Sequence, residues 1–161
     1  MLTINPILNT LWQICLLKLG PQNLPASTFL LSGTTVLAFL MSAFLNDFGA
    51  AVIEVLSLTI LTGGLLLFFG HKERFEQTLT AIMGASLIIS SIVAFTFTIL
   101  SNPPNLIRII IFFWNLSILA NILRHSLNVS GFHAGLLSLV YAFLINRVIA
   151  TVEGNIEPSI S

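Results

Sequence analysis

Glu54 is the one carboxylate set well inside a long apolar run, so any intramembrane chemistry would begin there. A charge at bilayer depth costs about 3 kcal/mol on insertion scales and needs a partner or a cavity. Arg108 and Arg147 enter later apolar runs at a matching depth, which makes a Glu54–Arg147 or Glu54–Arg108 pair the expected structural solution. A proton or ion relay, or a contact with another subunit, are the other uses open to it. A second constellation follows on the fourth apolar run, where Ser117, Asn121, His125 and Asn128 recur at helical spacing and share a face, flanked by Asn115 and Arg124. Interhelical hydrogen bonds, worth about 0.6 kcal/mol each, would account for that stripe. Its functional reading is a polar pocket closed by His133 and His71. The same histidines leave a haem or quinone at His125 and His133 as an alternative, but no His-x-x-x-His or Glu-x-x-His spacing is present, so no cofactor and no metal are expected. Cys15 is the only cysteine, and neither a Gly-rich phosphate loop nor a Gly-x-Ser-x-Gly elbow occurs. The expectation is a protein that is not an enzyme.

The elements that must position these residues are set by composition. At 161 residues, 56% hydrophobic and 7% charged, with a mean hydropathy of +1.01, the chain is built for a bilayer. One span takes about 20 apolar residues, so the length holds about five and little else. The expected fold is all-α, a polytopic membrane helix bundle. Formal net charge is zero and the basic residues are scattered, which leaves nothing to track a phosphate backbone and excludes nucleic acid as a partner. The N-terminus has no basic region and no small-residue cleavage site, so a removable signal peptide is not expected.

In chain order, residues 1–20 read as an interfacial amphipathic helix. Asn5-Pro6 starts it, Ile7 to Leu19 forms it, Gly20-Pro21 ends it, and Trp12 and Lys18 suit the headgroup level. Packing of this helix against the rest of the chain is the equal alternative. Residues 21–149 hold the spans, at about 28–45, 50–69, 79–100, 106–127 and 131–148, separated by Asn46-Asp47-Phe48-Gly49, by a charged loop, by Ser101-Asn102-Pro103-Pro104-Asn105 and by a turn after Leu127. Gly63-Gly64, Gly84 with Ser86, and Gly131 with Gly135 are small residues suited to close helix contact. Residues 150–161 read as a polar tail.

The charged loop, His71 to Thr78, gathers four of the twelve charged side chains. Lys72, Arg74, Phe75 and Glu76 make it a docking surface. Lys18, Lys72, Arg74 and Arg124 fall on one side of a five-span chain and Arg108 and Arg147 on the other, so the N-terminus and this loop are expected in the cytoplasm and the C-terminus outside.

Three stretches, Gly20 to Ser27, Arg74-Phe75-Glu76-Gln77-Thr78 and Leu123-Arg124-His125-Ser126-Leu127, together resemble a group of short proteobacterial inner-membrane proteins. That group is distantly similar to the five-span Yip1 family, most closely at Phe75 to Thr78. The Asp-Leu-Tyr-Gly-Pro motif of eukaryotic Yip1 members is absent here, so a trafficking role is not carried over. The resemblance implies a bacterial inner-membrane location, periplasmic for the C-terminus, and a membrane-organising or partner-binding protein without catalytic residues. The functional expectation is therefore a non-enzymatic accessory or scaffold subunit, a hetero-oligomer with other membrane proteins in the lipid bilayer. A small transporter or lipid-handling protein is the alternative, and a haem- or quinone-associated electron-transfer subunit the second.

Overall fold

A computed structural model describes residues 4–45, 47–100 and 104–156. Every regular element among them is helical: α1 (Ile4–Cys15), a 3-10 turn (Pro21–Asn23), α2 (Thr28–Leu45), α3 (Phe48–Phe68), a second 3-10 turn (Lys72–Arg74), α4 (Phe75–Ile99), α5 (Asn105–Leu127) and α6 (Gly131–Ile156). Five of them, α2 to α6, are long and apolar enough to cross a membrane. The chain is a multi-pass membrane protein with the expected bundle fold.

The helix ends have local causes. Asp47 caps α3 by accepting the Ala50 N–H at 3.0 Å, while Asn46 beside it lies outside the described residues. Gly70, at φ 75°, closes the same helix. Asn128 stands left-handed after α5, a conformation asparagine tolerates better than most residues. Of the proline-rich breaker before α5, Ser101, Asn102 and Pro103 lie outside the described residues.

Two expected boundaries are corrected. α1 starts at Ile4 and stops at Cys15, not at Gly20, because Leu17 turns left-handed (φ 61°) and the Leu17 and Lys18 N–H groups bond back to the Ile14 and Gln13 carbonyls. α6 continues to Ile156, past the expected end at Val148 and into the stretch expected to be a tail; residues 157–161 lie outside the described residues.

α4 is the axis of the bundle. It packs against α2, α5, α1 and α3, and α6 closes the ring against α5 and α3. All of Thr78 to Ala85 is buried. α1 belongs to this core: Leu11, Ile14 and Cys15 are buried, and the Trp114 indole and Asn121 amide N–H groups donate to the carbonyls of Cys15 and Leu19, both at 2.9 Å. The expected packing of α1 against the rest of the chain is observed, while Trp12 stays exposed on its outer side. Gly84 permits this, since a Cβ there would stand 2.6 Å from Leu11 Cδ2. A Cβ at Gly63 would meet the Phe75 ring at 3.4 Å, an ordinary contact, whereas nothing lies within 4 Å of one at Gly64, Gly131 or Gly135.

Candidate functional site: two cavities at different depths

Glu54 sits two turns into α3, about 9 Å along the axis from its first residue. The expected pairing does not form. Arg108 lies over the Phe97 ring at 5.5 Å and Arg147 over the Phe143 ring at 5.2 Å, both exposed, each gaining a cation–π contact near the end of its apolar span. Among the described residues the one ion pair is His71 with Glu73. The Glu54 carboxylate instead accepts a hydrogen bond from the Ser42 hydroxyl of α2.

That carboxylate opens on a cavity of about 370 Å³ between α3, α4, α5 and α6. Its walls are mostly aliphatic, among them Leu58, Ile82, Leu116 and Ile122, and its polar groups are Glu54, Ser86, Asn115, Asn146 and Tyr141. Tyr141 is committed to the fold, donating to the Leu58 carbonyl at 3.1 Å and accepting from Thr62 at 2.8 Å. Asn146 donates one N–H to the Ala142 carbonyl at 2.8 Å and keeps its amide oxygen and second N–H for a ligand. Carboxylate and amide oxygens in an apolar shell attract positive charge.

The polar stripe of α5 divides between two places. Asn115 faces the Glu54 cavity, whereas Arg124, His125 and Asn128 line a second one of about 460 Å³ with Gln22, Arg74 and Val129. Asn121 lines neither and is spent on the Leu19 carbonyl, and Ser117 bonds back to Phe113. Glu54 and His125 therefore belong to different cavities. His125 also stands apart from the other histidines: His133 is hydrogen-bonded to Ser130 at 2.7 Å, His71 stands 3.6 Å from Glu73, and neither lines the second cavity. Of the three histidines, His125 alone lines this cavity.

The charged loop is likewise turned inward. Arg74 Nη1 donates to the carbonyls of His125 and Ser126 at 3.0 and 3.2 Å, Glu76 accepts from Thr28 at 3.0 Å, Gln77 donates to Leu24 at 2.8 Å, and Phe75 packs on the core. Of the residues expected to form a docking surface, Lys72 is exposed and Arg74, Phe75 and Glu76 are half-buried. Helical spacing carries no signal for these contacts, because they join residues some fifty positions apart. Cys15 is chemically quiet: burial pushes its thiol up to about 11, so it stays protonated at neutral pH.

No protein-family model, no curated protein and no solved structure matches the chain.

Proposed function

We propose that this protein is a small transporter or lipid-handling membrane protein that binds, at bilayer depth, a mostly apolar molecule carrying one positive charge. The observation that carries this reading is Glu54, a carboxylate inside a span with a serine for a partner and a cavity of about 370 Å³ in front of it. An intramembrane carboxylate without a counter-charge is costly, and a cation in the cavity offsets that cost. The volume lies in the range of about 300–1,000 Å³ typical of organic ligands, and the aliphatic walls match an apolar body. The test is binding of a long-chain alkylammonium ion to the protein in lipid nanodiscs, with the matched alkyl alcohol as the neutral control. Glu54→Gln lowers affinity for the amine by about tenfold or more, as for a lost charge-assisted contact, and leaves the alcohol unchanged. Equal binding of the amine by both proteins contradicts the proposal.

The second reading is the accessory or scaffold subunit of a larger inner-membrane complex. What favours it is the end of the bundle that carries exposed Lys72 and Glu73, on a connector held by Arg74 and Gln77, and exposed Arg124 in the last turn of α5. A rigid charged surface of this kind suits a partner protein. Extraction in mild detergent followed by size measurement decides it, and a stable lone monomer counts against it. Under either reading the charge distribution supports an N-terminus in the cytoplasm and a C-terminus in the periplasm. The resemblance to short proteobacterial proteins and to Yip1 supports the inner membrane as the location.

A further inference from the structure

The second cavity lies at a boundary. Arg74 immediately precedes the apolar run of α4, and Arg124 and His125 occupy the last turn of α5, so their side chains stand where two spans end together and water begins. Phospholipid phosphates occupy that level in a bilayer. Arg74 is anchored through Nη1, and among the described residues its Nε and Nη2 hydrogens have no partner in the chain. Arg124 is exposed, and among the described residues its guanidinium makes no hydrogen bond or ion pair. The His125 Nδ1 stands 2.9 Å from the Asn121 carbonyl, which makes Nδ1 the protonated nitrogen and fixes the ring. Gln22 and His125 close over Gly20, where a Cβ would stand 2.3 Å from the Gln22 amide oxygen and 2.7 Å from His125 Cγ. This wall depends on the absence of a side chain at residue 20.

No carboxylate lines the cavity. The two acidic residues of the neighbouring loop are occupied, Glu73 beside His71 and Glu76 with Thr28. Two guanidinium groups with amide donors from Gln22 and Asn128 suit a phosphodiester anion, which they can hold through several charge-assisted hydrogen bonds. A zwitterionic headgroup would bring an ammonium that finds no acid there. Exposed Leu16 and Leu17 precede Leu19, whose carbonyl is held by Asn121 one turn before His125, and they add apolar surface at the same end.

We infer that the cavity formed by Gln22, Arg74, Arg124, His125 and Asn128 binds the phosphate of an anionic phospholipid at the membrane surface. The site is separate from the Glu54 cavity and stands or falls independently of it.

Native mass spectrometry of the full chain, released from detergent with phosphatidylglycerol, phosphatidylcholine or inorganic phosphate, tests this. The expected result is retention of phosphatidylglycerol well above phosphatidylcholine. Arg124→Gln lowers that retention by about fivefold, the effect of one basic group near a membrane surface. Because Arg74 also ties α4 to the end of α5, Arg74→Gln is a poor probe by itself, whereas Arg124 carries no such contact. Equal retention of the two lipids overturns the inference, as does wild-type retention by Arg124→Gln. Displacement of phosphatidylglycerol by millimolar inorganic phosphate also overturns it, by showing that the site serves a soluble anion.

Discussion

At Glu54 the competing demands on one residue are visible. Its charge opposes insertion, its neighbour Ser42 offers a hydroxyl, and both arginines that share its end of the bundle prefer aromatic rings. Arg108 and Arg147 lie at the ends of their spans, where a long side chain reaches water at little cost, so neither needs an intramembrane carboxylate. Sequence position places these three residues at a common depth but does not say which way each side chain turns. Thr80 illustrates the opposite case. Its hydroxyl is fully buried in α4 and, among the described residues, is the one buried side-chain polar atom without a partner. Replacing it with a methyl group of similar shape removes an unsatisfied donor, so Thr80→Val stabilises the protein by about 1 kcal/mol, read as a raised unfolding temperature in detergent. A lowered temperature would show that the hydroxyl has a use.

At the scale of elements, the five spans were legible because each is a long apolar run bounded by glycine, proline, asparagine or charge. α2 and α5 fall within a residue of the expected limits. α1 was less legible. Its amphipathic pattern is the same whether its apolar face meets lipid or protein, and the decision rests on Gly84, seventy positions away, which makes room for Leu11. Gly84→Val therefore pushes α1 off α4 and costs about 2 kcal/mol, the usual penalty of overpacking. The Leu11→Ala exchange combined with it costs less than the sum of the two single changes, as thermal unfolding of all three variants will show. Strict additivity would mean that the two residues do not meet. The inward contacts of the charged loop were not legible for a related reason: solvated docking and inward capping both call for exposed-type residues, and the Arg74 to α5 contact is set by the fold.

Over the whole molecule, two polar cavities of opposite character are held at two depths, an acidic one inside the bundle and a basic one at its end. Their separation was not legible, since the α5 stripe that feeds both has a single helical period. What places Asn115 in one and His125 in the other is the packing of α6 and of the Gly20 to Leu24 connector against different turns of α5. The charge distribution along the spans gives a further prediction: a compartment-sensitive reporter fused after Ser161 reads periplasmic, and one fused before Met1 reads cytoplasmic. Both reporters on one side would require an even number of crossings.

The acidic cavity is the centre of the functional account, and covalent modification reaches it most directly. A hydrophobic carbodiimide partitions into the bilayer and adds to carboxyl groups there, giving an adduct whose position mass spectrometry identifies. An adduct forms at Glu54, and it forms markedly more slowly when a long-chain quaternary alkylammonium ion, which cannot itself couple to the activated carboxyl, is present, with no protection from an uncharged analogue of the same chain length. Modification of Glu54 at the same rate with and without the ammonium ion would contradict the account.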